Sequence, residues 1–363
     1  MKKVIFVLAA VVALAACSQE DVIVADKGAA IGFDTFVENS TRSKYDPSYT
    51  NDNLFTNFGV FGTVEGAELF NDKTVTGSEI KGTWTYEGTQ YWIAGAKYNF
   101  AAVAPQTVDG KLVYSDAEYN VVKNEGVYTG TTTLSFVNNG KIDLLYAEAT
   151  AEGQAGSGDA EHPANPKVGF NFRHVLSKVK FSFENKYNAS NATIRVENVK
   201  ITDAYKTADA ELNAATNWSN KATATDFVLE FGNAAVTAFD AKEPFANGET
   251  VESYNELLMI PGAGATDKEI GGVSSKVYTI TFDVVLLVSK EEIKTYKHTI
   301  YTTFAPEAGM RYNLKAVIKP ENIDPEHSQE PILFTVNEIN DWDNGNTKDS
   351  DDTDTENDYY PLN

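Results

Sequence analysis

Beyond residue 30, apolar side chains recur at every second position more often than at every third or fourth, the spacing of strands with one buried face. Val168, Phe170 and Phe172 share one face, and Val179, Phe181 and Phe183 share the next. Ile194, Val196, Val199 and Ile201 continue the series with a break in phase after Val196, which predicts a β-bulge. Phe227, Leu229 and Phe231 form a shorter set. The longest signal runs over residues 277–288, turns at 289–292 and returns over 293–303, a predicted hairpin. Earlier strands are predicted at 58–62, 98–104, 112–114, 134–137 and 143–146, with Pro105 stopping the second. Tyr312, Leu314, Ala316 and Ile318 predict another, ended by Pro320, and residues 332–336 a last one that runs toward Trp342. Residues 150–167 carry enough Gly and Pro to be a loop, and the stretch around Trp218 is polar without a clear period. No window sustains a 3.6-residue apolar stripe, so helices are expected to be few and short. Short strands spread over 363 residues predict an all-β fold of two β-sandwich domains in tandem, at 31–176 and 177–347.

The beginning of the chain reads differently. Lys2 and Lys3 precede an apolar run over 4–13, and small residues follow. The run is too short for a membrane span of ~20 residues and has the make-up of an export signal, assigned to residues 1–16. Leu14-Ala15-Ala16-Cys17 resembles the lipobox of bacterial lipoproteins. There the cysteine sulfur takes a diacylglycerol and the freed amine another acyl chain, and two or more chains anchor stably where one does not. An ordinary secretory signal with an incidental cysteine is the alternative. Residues 17–30 form a polar spacer in which Ser18-Gln19-Glu20-Asp21 resembles the surface-export signals of Bacteroidales lipoproteins.

A formal net charge of −22 argues against a nucleic-acid partner, which calls for a basic face. Part of that charge lies in residues 348–363, an Asp-rich tail expected to be disordered and lacking the fixed Gly and terminal Glu of a calcium loop. Cys17 is the single cysteine, so neither an internal disulfide nor a thiolate metal site is available. The four histidines, His162, His174, His298 and His327, are scattered, and His174 and His298 sit in strand patterns that suit structural roles. Gly262-Ala263-Gly264 lacks the third glycine of a phosphate loop, and no G-x-S-x-G elbow occurs. The expectation is no enzyme, no cofactor and no metal. Tyr45, Tyr49 and Trp92 read equally as sugar-stacking platforms or as packing residues.

Several stretches together carry a family resemblance. They are the lipobox followed by Ile31-Gly32-Phe33 and Ser40-Thr41-Arg42, then Phe58-Gly59-Val60-Phe61, and Tyr91-Trp92 with residues 98–105. Asp143-Leu144-Leu145-Tyr146-Ala147 and Phe172-Arg173-His174-Val175-Leu176-Ser177-Lys178-Val179 follow, and Ala308-Gly309-Met310-Arg311-Tyr312-Asn313-Leu314 and 332–342 close the series. In this order they resemble the fimbrillin family of Mfa-like and FimA-like proteins. Ile93, where relatives often carry proline, and the acidic tail depart from it.

The resemblance implies two transthyretin-like β-sandwich domains and a type V pilus subunit supporting cell adhesion from the outer membrane. It implies a lipidated precursor cut by a trypsin-like protease, whose first strand departs and whose groove takes a strand from another subunit. Carried onto this chain, the departing strand is 31–36, the cut follows Arg42, with Lys44 nearby as the alternative, and Ile332, Phe334 and Val336 are the donor side chains within 332–339. Arg42 also reads as a plain surface arginine, and 332–336 as the last strand of its own domain. Expected partners are other fimbrial subunits, the outer membrane through Cys17 and a surface ligand, with stalk, tip and anchor roles open. A monomeric surface-anchored glycan-binding lipoprotein is the second class of reading.

Overall fold

The computed structural model describes residues 29–37, 55–78, 83–153, 167–231, 244–253, 256–323 and 332–341. Up to His174 these give β1 (Phe33–Val37), β2 (Asn57–Val64), β3 (Ala67–Ser78), β4 (Thr83–Thr85), β5 (Lys97–Ala104) and β6 (Thr107–Val108). Then come β7 (Lys111–Leu112), β8 (Tyr114–Asn124), β9 (Val127–Val137), β10 (Leu145–Glu152) and β11 (Val168–His174). The later strands are β12 (Ser177–Asn185), β13 (Ala192–Ile201), β14 (Tyr205–Leu212), β15 (Thr216–Thr223), β16 (Leu229–Phe231) and β17 (Thr250–Glu252). After them run β18 (Leu257–Met259), β19 (Thr266–Ile270), β20 (Val273–Val288), β21 (Glu291–Thr302), β22 (Met310–Ile318) and β23 (Phe334–Asp341). One turn of helix, α1 (Pro320–Ile323), interrupts them, so the fold is all-β as expected.

A seven-stranded sheet runs in the order β1-β11-β10-β5-β2-β3-β4. Its two ends meet, because the Trp84 indole of β4 donates to the Thr35 hydroxyl of β1 at 3.0 Å. The sheet therefore curls around an aromatic core that includes Phe33, Phe58, Phe70, Phe100, Phe170 and Phe172. Its outer face is apolar too. Phe61, Ala101, Val103 and Tyr146 pack with Leu134, Phe136, Ala208, Ala210 and Leu212 of a second sheet, ordered β15-β14-β9-β8. Strands β2 and β5 are covered on both faces and are buried nearly throughout, which explains their continuous apolar runs.

The second sheet draws on both sides of residue 176. Strand β14, from the polar stretch that shows no clear period, pairs with β9 from Thr207↔Val137 to Leu212↔Thr132. Trp218 on β15 donates to the Val175 carbonyl at 3.0 Å. The apolar outer face of β2 and β5 needs a cover, and this hairpin supplies part of it.

The remaining strands enclose another core. One sheet runs β17-β12-β22-β23 with β18 also on β12, and the facing one runs β16-β13-β20-β19 with β21 also on β20. Phe181, Phe183, Leu314 and Phe334 of the first meet Ile194, Val196, Phe282 and Val284 of the second. The bulge expected after Val196 is present, as the β13–β20 register shifts between Glu197 and Lys200 and Asn198 takes φ of 55°. The long hairpin is also present, but its loop is two residues rather than four. Ser289 and Lys290 both adopt positive φ, 51° and 71°, the primed-turn geometry that matches strand twist.

The candidate site is the seat of the first strand

Segment 29–37 is held from two sides. On one side β1 lies parallel to β11, with Phe33 opposite Val168 and Val37 opposite Phe172, and the Val168 N–H donates to the Gly32 carbonyl at 2.8 Å. On the other, the Ile31 N–H donates to the Gln90 carbonyl at 2.8 Å and the Trp92 N–H to the Ala29 carbonyl at 3.0 Å. The Tyr86 hydroxyl donates to the Ile31 carbonyl at 2.8 Å. The strand thus closes the seam of the curled sheet.

Alternation decides what points inward. Ile31 and Phe33 are buried, and the Phe33 ring lies 5.4–6.3 Å from the rings of Phe58, Phe70, Tyr86, Phe100 and Phe170. Each such side chain contributes about 1.5–3 kcal/mol by burial alone. Outward, Asp34 pairs with Lys167 at 2.8 Å, an exposed pair worth little. Desolvation raises the Tyr86 phenol above its ordinary value, so it stays a donor to the seam. The expected alternation of Val168, Phe170 and Phe172 holds, and all three line the trough under β1.

Strand β23 is the edge of its sheet, antiparallel to β22, with Phe334 opposite Ala316 and Val336 opposite Leu314. Ile332 and Phe334 are buried and Val336 half-buried against the core of their own sheets, whereas Leu333 is 52% exposed. The Phe334 ring lies 5.4 Å from Phe181, 5.8 Å from Phe183 and 5.7 Å from Phe282. Cys17, Arg42, Lys44 and residues 348–363 lie outside the described residues, as do Tyr45, Tyr49, His162 and His327.

The two described histidines sit apart in packed surroundings. His174 Nδ1 lies 2.5 Å from Asp143 Oδ2, tying the end of β11 to the approach to β10. His298 stacks on Phe282 at 5.1 Å, and burial pushes its pKa down to about 4. Among the described residues no group of three His, Cys, Asp or Glu side chains is placed to hold a metal. Trp92 is a packing residue, edge-on to Tyr98 at 4.7 Å and 6% exposed, which removes it as a sugar platform. A cleft of about 460 Å³ opens between the β6–β7 hairpin and the ends of β8 and β9, lined by Val108, Leu112, Val137 and Ile142 with Asp109 and Lys111.

Sequence reasoning missed the far wall of the seat. Trp84, Tyr86 and Gln90 lie in or beside a three-residue strand and bends, where no periodicity marks them. The signal present was the cluster of aromatics over 84–92 in an otherwise polar stretch.

Among solved structures the chain is similar to a candidate cell adhesion protein from Bacteroides uniformis, at 15% identity over 86% of this chain and 97% of that one, TM-score 0.43. A candidate cell adhesion protein from Bacteroides ovatus is similar at 15% identity over 87% and 98%, TM-score 0.43. The fimbrial anchor protein Mfa2 from Porphyromonas gingivalis is similar at 11% identity over 87% and 97%, TM-score 0.34. No curated protein matches the sequence. Residues 41–342 match the fimbrillin-like family, and with most of its length so matched the chain belongs to that family.

Proposed function

We propose that this protein is a fimbrial subunit of the cell surface, exported as a precursor lipidated on Cys17 and assembled by strand exchange at the seat of β1. The observation that carries the proposal is the way β1 is held. Five described residues form a parallel strand at a seam, with a phenylalanine plugging an aromatic trough. Taking them away opens the backbone groups of β11 and of the 84–92 segment together with the trough, the arrangement that a donated strand restores. Membership of the fimbrillin-like family supports the same reading. Arg42, five residues after the end of β1, is the proposed cut site, with Lys44 as substitute. Ile332, Phe334 and Val336 are the proposed donor side chains, the last two on an edge strand with a single neighbour and Ile332 just ahead of it. The role is structural and adhesive rather than catalytic.

Mass spectrometry of the N-terminus of surface-sheared material tests the proposal. A start at Ser43 is expected, and Arg42→Ala is expected to leave a folded precursor that does not polymerise. A lipidated Cys17 persisting in all material, or normal assembly of a variant lacking both Arg42 and Lys44, overturns the processing step.

A further inference from the structure

The cleft beside the β6–β7 hairpin lies apart from the seat of β1 and shares none of its residues. Its volume of about 460 Å³ falls within the range of ligand sites, roughly 300–1,000 Å³. One wall is fixed in advance. Asp109 and Gly110 take positive φ, 50° and 73°, as a two-residue primed turn requires, and return the chain from Val108 to Lys111. Asn57 grips Thr107 twice, its Nδ2 donating to the Thr107 carbonyl at 2.9 Å and its Oδ1 accepting from the Thr107 N–H at 2.7 Å. The Gln106 amide donates to the Asp72 carbonyl and to Asp72 Oδ1, each at 3.0 Å, and the Tyr114 hydroxyl donates to the same Oδ1 at 2.7 Å. A hairpin so firmly held still leaves Leu112 65% exposed, and Val137 on the facing wall is 58% exposed. Singly, such side chains are ordinary on a surface, but paired at the mouth of a cleft they mark a contact site.

The polar atoms of the lining are sorted by role. Ser115 and Ser135 stand opposite each other on β8 and β9. Each donates its proton to a carboxylate, Ser115 to Asp116 at 2.9 Å and Ser135 to Asp209 at 2.7 Å, so both present lone pairs to the cleft. Asn139 is the reverse. Its Oδ1 accepts from the Lys141 and Ile142 N–H groups at 2.9 and 2.8 Å, which leaves its amide NH2 as the group on offer. Asp109 and Lys111, exposed at the turn, add one acceptor and one donor of opposite charge. A ligand that answers this lining is neutral, carries donors and acceptors together, and brings aliphatic bulk for Val108, Leu112 and Val137. An extended peptide does all three, because each residue offers one N–H and one C=O beside its side chain. A sugar finds no ring to stack on, since Tyr114, the one aromatic in the lining, is 3% exposed. A bare acyl chain would leave both serines and Asn139 unanswered. We propose that this cleft binds an extended peptide segment of a partner protein through a leucine, isoleucine or valine side chain. The surface partner met at this site is thus a protein and not a glycan.

The test uses the full chain carrying Cys17→Ser, with its leucine, isoleucine and valine methyl groups labelled for NMR. The probes are acetyl-Ala-Leu-Ala-amide, acetyl-Ala-Asn-Ala-amide, cellobiose and decanoate. The leucine peptide is expected to shift the methyls of Leu112 and Val137 saturably, with a Kd in the millimolar range that suits so small a ligand. The asparagine peptide, similar in shape but polar at its centre, should bind roughly tenfold or more weakly, the margin that burial of one leucine side chain sets. Leu112→Asp should weaken the leucine peptide by a similar factor, and Val137→Asp should do the same. Both positions are exposed enough for the fold to accept a charge, and unchanged methyl shifts at Ile31, Val168 and Leu314 verify it. Saturable shifts of the Leu112 and Val137 methyls by cellobiose or decanoate and not by the leucine peptide overturn the proposal. Equal binding of the two peptides, undiminished binding to a folded aspartate variant, or no shift with any probe overturns it as well.

Discussion

Replacing Phe33 by alanine removes the plug of the seam while sparing every backbone bond that β1 makes. The ring is 1% exposed and touches five aromatic neighbours, four of which cannot close the gap without leaving their own strands. Such truncations cost about 3–5 kcal/mol through lost transfer energy and the cavity left behind. Because β1 ends a sheet and, among the described residues, is otherwise held by Ile31, the Trp84 and Tyr86 hydrogen bonds and a few main-chain bonds, the cost falls on local detachment before it reaches global unfolding. At about 1.4 kcal/mol per factor of ten, the detached population rises roughly two to four powers of ten. Native-state hydrogen exchange reads this at two amides, Val168, which bonds Gly32, and Ile31, which bonds Gln90. Phe334→Ala serves as the control, since it opens a cavity among Phe181, Phe183 and Phe282 and should leave the Val168 amide protected. If Phe33→Ala speeds exchange at Val168 by less than about tenfold, or only together with every other amide, the ring is not what retains the strand.

Two further outcomes follow from the packing. Burial holds His298 near a pKa of about 4 against an ordinary 6.5, so on acidification the unfolded chain takes up this proton before the folded one does. Its share of stability is therefore complete above about pH 6.5 and is lost as pH falls toward about 4, on the order of 3 kcal/mol in total. Urea midpoints of His298→Phe should fall less over that window than those of the parent, and parallel curves would refute the assignment. Gly264→Ala should destabilise by about 3 kcal/mol or more, because its Cβ would lie 2.0 Å from the Val277 carbonyl, main chain of a central strand that cannot yield; a thermal midpoint within about 2 °C of the parent would contradict this.

What could be read in advance followed from which surfaces water reaches. The alternation of Val168, Phe170 and Phe172 was legible because β11 buries one face and leaves Gly169 and Asn171 outside. The bulge after Val196 was legible for the same reason, since a phase break in a one-faced strand has few other causes. Strand β14 was not, because two of the three side chains it buries are alanines, which mark a face weakly, and its partner β9 lies about seventy residues away in sequence. The short loop at Ser289-Lys290 escaped because primed turns usually announce themselves with glycine or asparagine. For the site, Ile31 and Phe33 stood out in the sequence, while the wall formed by Trp84, Tyr86 and Gln90 emerges only once the sheet has curled. The fate of Ile332 and Phe334 was undecidable from pattern alone. The same alternation suits a home core and a neighbour's trough, and the structure places them at home.

The hairpin β14–β15 that joins β9 has a mechanical consequence. The backbone passes between the curled-sheet half and the later sandwich at Val175-Leu176, again between β13 and β14, and a third time between β15 and β16. Tension applied between the first half and the last strand is therefore shared by three covalent spans and by the ladder from Thr207 to Leu212 on β9. A joint of this kind resists bending and stretching where a single linker would act as a hinge, so a thread of such subunits would transmit force through each subunit as through a splinted rod.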